Sequence, residues 1–221
     1  MTKIIPNGSF QKGRGSSGMA MNSNFLPNIS IDEIKNLELR SFNGEIVLVE
    51  NINDFRHAIK RFENSKVLGF DTETRPSFRK GRKNRVSLLQ VSGKNFSCLF
   101  RINKIGIPDE LRDILASPDI VKAGVAIHDD LRFLGQIRKF QPAGFIDLQK
   151  FVKDFGIESS GLKKLTAIIL GFRISKNQQV TDWEAVTLSE PQKVYAATDA
   201  WVCYEIYTKL LNCKRDIKKL I

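Results

Sequence analysis

Residues 67–73, Val-Leu-Gly-Phe-Asp-Thr-Glu, constrain the fold more than any other stretch of this chain. Val67, Leu68 and Phe70 read as a buried strand, and Gly69 allows another element to pack closely against it. The strand ends in Asp71 and Glu73, two positions apart, so both side chains point to the same face. Two ionised carboxylates held side by side repel each other and are costly to bury. A divalent cation removes both penalties, because hard Mg²⁺ or Mn²⁺ prefers carboxylate oxygen. The alternative is a pair of solvated acids at a strand end. With 24 Asp and Glu in the chain, acid-x-acid pairs also arise by chance. The pair therefore gains meaning only from partners elsewhere.

A chain of 221 residues suits one large domain or two small ones, and 42% hydrophobic residues suffice for a sizeable core. The formal net charge of +11 favours a polyanionic partner such as nucleic acid, with an acidic membrane surface as the rival. No apolar run reaches 18 residues, and the N-terminus lacks the apolar segment of a secretory signal. Cys98, Cys203 and Cys213 are odd in number and form no C-x-x-C pair, which fits reduced thiols in a cytoplasmic protein. Residues 1–22 are rich in Gly and Ser, with three basic residues and no acid. They read as a disordered leader or expression-derived tail, a functional basic arm being the alternative.

Taken in order, 45–49 read as a first strand. Asn53 is positioned to cap a helix whose apolar face is Phe55, Ala58, Ile59 and Phe62. His57 lies on that helix as a surface residue. After the acidic strand, 75–85 hold six basic residues and no acid, in a loop marked by Pro76 and Gly81. Directly following the acidic pair, this loop reads as a phosphate-contacting segment: Arg75, Arg79, Lys80, Arg82 and Lys83, with Thr72 on the strand, are candidate substrate-binding residues. Phe78 is placed to stack on a base or to pack onto the domain. Strands at 86–91 and 96–100, joined by a turn at 92–95, complete an antiparallel run of three. A helix over 108–116, a strand over 120–125, a helix over 129–137 and a last strand over 143–146 follow, and Asp147 caps the next helix. The remainder is mainly helical. This order gives an α/β domain with a mixed central sheet of five or six strands, and no linker divides residues 23–221.

Two further acidic sites stand out. In Gly124-Val-Ala-Ile-His-Asp-Asp-Leu-Arg-Phe-Leu134, acids occupy the first turn of a helix, where a carboxylate is favoured without metal. Capping suffices to explain Asp129. In Tyr195-Ala-Ala-Thr-Asp199, the i, i+4 spacing puts the hydroxyl and the carboxylate on one helical face.

FDTET, GVAIHDDLRFL and YAATDAW, in this order and spacing, resemble the three motifs of the DEDD superfamily of 3′–5′ exonucleases, in its tyrosine branch (DEDDy). Residues 45–212 are similar to the exonucleases of the Werner helicase and RNase D type. The resemblance implies a ribonuclease H-like fold and a two-metal site for Mg²⁺ or Mn²⁺. Asp71, Glu73, Asp130 and Asp199 would be the metal ligands, and Tyr195 would orient or deprotonate the attacking water. Asp130 is preferred over Asp129 because the family acid stands four residues before an apolar helix position, here Leu134. His128 has no family role, and Trp183 and Trp201 read as packing residues. The expected activity is removal of nucleotides from the 3′ end of DNA or RNA. A nucleic-acid-binding module with a degenerate site and an endonuclease on the same fold are the rivals. No protein partner is inferable.

Overall fold

The computed structural model describes residues 25–75 and 85–219. Helix α1 (Ile31–Lys35) opens with a capping box between Ser30 and Glu33. Then come β1 (Glu45–Val49), α2 (Ile52–Ile59), β2 (Val67–Thr74), β3 (Val86–Ser92), β4 (Phe96–Phe100), α3 (Ile102–Ile105) and α4 (Asp109–Ala116). The second half comprises β5 (Val121–Gly124), α5 (His128–Ile137), β6 (Phe145–Asp147), α6 (Leu148–Phe151), α7 (Leu162–Leu165) and the long α8 (Glu190–Lys219).

The strands form one six-stranded sheet in the order β1-β4-β3-β2-β5-β6. β2, β3 and β4 are the expected antiparallel run. β5 joins β2 in parallel, β6 joins β5 in parallel, and β1 joins β4 in parallel, so the sheet is mixed. Every residue of β3 is buried, as expected of a strand covered on both faces. On one face, Phe55, Phe62, Phe70, Phe100, Leu111 and Leu134 make a core between the sheet and α2, α4 and α5. On the other, α8 lies against the sheet through Ala196, Ala197 and Ala200, all fully buried. Small side chains there let the helix axis come close. Gly69 makes the approach possible: a Cβ on it would stand 1.8 Å from the Ala200 carbonyl oxygen and 2.8 Å from the Tyr204 nitrogen.

Three local expectations need correction. The cap of α2 is Asn51, not Asn53; its side chain accepts from the Asn53 and Asp54 backbone N–H groups. The extended conformation that a cap requires falls two residues earlier than the apolar spacing suggested. Asp129 is not the N-cap residue of α5, although it stands in the first turn. The residue preceding α5 is Ile127, which makes no side-chain cap, while Asp129 pairs with Arg132 at 2.9 Å. The last two strands are also displaced from their expected bounds, because β5 stops where it parts from β2 and β6 runs on to Asp147. Asp147 does cap α6, accepting from the Gln149 N–H at 2.9 Å. The same oxygen accepts from the Ala126 N–H at 3.2 Å. Ala126 has φ of 57°, the left-handed conformation of the tight turn between β5 and α5. One carboxylate thus holds both that turn and the start of α6.

Candidate active site

β5 pairs with β2 only as far as Gly69–Ala123. Beyond that point β2 continues alone on this side, and a cleft opens where the parallel neighbour leaves. Asp71 and Glu73 occupy this free end of β2. They share the face of Gly69, so they look toward α8. The close packing at Gly69 and Ala200 brings Asp199 against them. Carboxylate oxygens of Asp71, Glu73 and Asp199 all lie within 4.8 Å of one another. Tyr195 stands one turn earlier on α8, with its hydroxyl near enough to Asp199 to favour the ionised acid.

Asp130 arrives from the other side of the sheet. Thr72 shares the face of Phe70, toward α5, and its hydroxyl donates to Asp130 Oδ1 at 2.5 Å. Asp130 is therefore tethered at the strand end rather than included in the three-acid group. It is still close enough to raise the proton affinity of both Asp71 and Glu73. The role of Thr72 as the tether was not visible in the sequence, since its partner lies 58 positions away.

The electrostatics are those of acids crowded without a counter-ion. Burial, then Asp199 and Asp130, hold the Asp71 carboxyl well above the usual carboxylate range. Burial, then Asp71, Asp199 and Asp130, push Glu73 up to about 10. Burial raises Asp130, partly offset by the Thr72 hydrogen bond. Asp199 is raised to about 7 by burial, against the opposing pull of the Tyr195 hydroxyl, Lys176 and Lys163. Burial and the neighbouring acids raise Tyr195 above the ordinary phenol range, so its hydroxyl stays protonated. A divalent cation replaces the protons these acids otherwise keep, and hard oxygen donors suit Mg²⁺ or Mn²⁺. The residues thus fit a divalent metal.

The acids floor an open cavity of about 590 Å³. Its walls come from residues 158–164 and 174–179, including Lys163, Lys164 and Lys176. No pattern in the sequence singles these basic residues out. Arg75, at the end of β2, pairs with Glu184 at 3.5 Å and Asp182 at 3.8 Å. Phe78, Arg79, Lys80, Arg82 and Lys83 lie outside the described residues. His57 and His128 are exposed, and neither belongs to the acid group. Trp183 is fully buried and packs on Tyr195, ring centroids 6.0 Å apart, while Trp201 stacks on Phe172. Both tryptophans are packing residues.

A carboxylate group at the end of the central strand of a mixed sheet, opposite an acid-bearing helix, defines a ribonuclease H-like nuclease. The chain belongs to the 3′-5′ exonuclease family, whose model matches residues 46–213. It is 31% identical over 193 residues to the bifunctional 3′-5′ exonuclease/ATP-dependent helicase WRN of Mus musculus, covering 80% of this chain and 13% of that protein. It is 34% identical over 163 residues to exonuclease 3′-5′ domain-containing protein 2 of Drosophila melanogaster, covering 72% and 27%. The chain thus spans about a quarter or less of these relatives. Among solved structures, the Aedes aegypti Nibbler EXO domain superposes with a TM-score of 0.70 at 21% identity, covering 80% of this chain and 94% of that one. Escherichia coli RNase D superposes with a TM-score of 0.68 at 24% identity, covering 77% and 44%. These two likenesses support the fold.

Proposed function

We propose that residues 23–221 form one DEDDy-type domain that hydrolyses phosphodiester bonds from the 3′ end of DNA or RNA. The observation that carries the reading is the meeting of Asp71, Glu73 and Asp199 within 4.8 Å, with Tyr195 beside Asp199 on the wall of the same cavity. Asp71, Glu73, Asp130 and Asp199 would hold two divalent ions, Mg²⁺ or Mn²⁺. Such ions, when bound, stabilise the attacking and leaving oxygens of an in-line displacement and acidify water. Asp71 and Glu73 are fixed by the β2 backbone. Asp130 is aimed by Thr72, and Asp199 by Tyr195. Tyr195 would orient the attacking water or take its proton. Residues 75–85 remain the candidate phosphate-contacting segment.

Digestion of matched 5′-labelled DNA and RNA oligonucleotides with Mg²⁺ and with Mn²⁺ tests this. A ladder shortening from the 3′ end is expected, lost in EDTA and lost in a folded Asp71→Asn protein. Full activity in EDTA would refute metal-assisted hydrolysis, and cleavage of circular substrate would make the enzyme an endonuclease. The relative rates on the two substrates choose between DNA and RNA.

A further inference from the structure

The acid floor of the cavity faces a basic wall. Lys163 and Lys164 come from the start of α7, and Lys176 from the loop beyond it. Among the described residues, none of the three forms a salt bridge with a carboxylate. Lys163 and Lys176 both act electrostatically on Asp199, and Lys176 and Arg173 act on Lys163, so these groups lie close together. Cations gathered in a cleft repel one another, and an anion entering between them relieves that repulsion.

The wall is also held in place. Glu158 and Ser159 donate their N–H groups to the Pro27 carbonyl, and the Ser159 hydroxyl donates to the Asn28 side chain at 2.8 Å. Arg173 exchanges backbone hydrogen bonds with Glu38 and Arg40, and its guanidinium donates to the Leu37 carbonyl at 3.0 Å. Both wall segments are therefore buttressed by residues 27–40, which precede the stretch matched by the family model. The backbone that carries these lysines is thus positioned before an anion arrives.

We propose that Lys163 and Lys176 bind an internucleotide phosphate within the two linkages nearest the 3′ end, opposite the carboxylate floor. This rests on the nuclease reading above. The phosphate enters between a floor that takes cations and a wall that supplies them, so its non-bridging oxygens are neutralised from both sides. The contact is to the backbone, and so independent of base sequence. Lys164 lines the same wall and adds to the field.

The test is binding of a fluorescent single-stranded oligonucleotide in EDTA, followed by anisotropy across a salt series. Lys163→Ala/Lys176→Ala should weaken binding roughly tenfold or more, since hydrogen bonds to charged groups are lost. The slope of log K against log salt should become shallower by about 0.7, because one fewer phosphate is neutralised on a single strand. Lys163→Arg/Lys176→Arg should restore most of both. A single neutral methylphosphonate, moved along the last linkages, should weaken binding to the parent at one position and leave the double alanine protein unaffected there. Equal binding and equal slope in parent and double alanine proteins would overturn the proposal and leave the lysines as counter-ions of Asp199. If the lysine effect appears while no protein cleaves with Mg²⁺ or Mn²⁺, the nuclease reading falls and the phosphate site stands.

Discussion

Gly69→Ala tests the contact on which the site depends. The added Cβ would meet the Ala200 carbonyl oxygen at 1.8 Å, whereas ordinary contact begins at 3.4 Å, so α8 must retreat by about 1.6 Å. Neither partner can yield cheaply: the obstacle is helix backbone, and Gly69 is held in register by β5 through Ala123 and by β3 through Ser92. Overpacking of this kind costs roughly 1–3 kcal/mol. The same retreat carries Asp199 and Tyr195 away from Asp71 and Glu73. A displacement of about 1 Å at a reacting centre costs on the order of a hundredfold in rate. Urea denaturation should show a lower midpoint with an unchanged slope, and single-turnover cleavage at saturating metal should fall by about a hundredfold. The distant substitution Gly135→Ala, where an added Cβ meets nothing within 4 Å, serves as control and should leave the rate unchanged. Parental stability and parental rate for Gly69→Ala would refute the account of how α8 delivers its residues.

Tyr195→Phe keeps the ring on Trp183 but deletes the hydroxyl; the single-turnover rate should drop by roughly 10²–10⁴-fold with metal affinity nearly unchanged, and a near-parental rate would remove Tyr195 from the mechanism. Thr72→Val removes the donor to Asp130, and the metal concentration for half-maximal rate should rise roughly 10–100-fold, as for other lost partners of metal ligands. Glu73 binds its proton more tightly when folded, with its pKa near 10, than when unfolded, so its contribution to metal-free stability is full in acid and lost as pH rises toward 10. Glu73→Gln should therefore be more stable than the parent in EDTA, by a margin that grows from about pH 5 upward. Added Mg²⁺ should narrow or reverse it, and thermal melts at several pH values would show whether the margin is absent.

What the sequence disclosed followed the range of the interactions. Strand β2 was legible because Val67, Leu68 and Phe70 are buried by local pattern, and Tyr195 and Asp199 because helical spacing alone puts them on one face. Asn51 was missed in favour of Asn53 because several capping residues stand close together near 51–54, and only the backbone geometry chooses among them. The choice of Asp130 over Asp129 came from resemblance; its physical reason is Thr72, across the sheet. The lysine wall escaped notice because residues 158–164 and 174–179 converge only through the buttress at 27–40. A charge run announces itself in one dimension, whereas a charge cluster assembled from two loops does not. The conspicuous run at 79–83 therefore drew the phosphate-binding expectation that Lys163 and Lys176 now share.

The dependence of the site on α8 has a kinetic consequence. Asp199 follows Asp71 by more than half the chain, and α8, 30 residues long, packs against β1 through β5. Contacts so distant in sequence are the slow ones to form, because the intervening loop must close before anything rewards it. The sheet can pair strand by strand as it emerges during synthesis, but no partly made chain can gather the three carboxylates. The carboxylate group is therefore completed only after the sheet that carries its first two members. Recovery of cleavage after dilution from denaturant should lag behind recovery of β-sheet signal, with the delay reporting the docking of one helix.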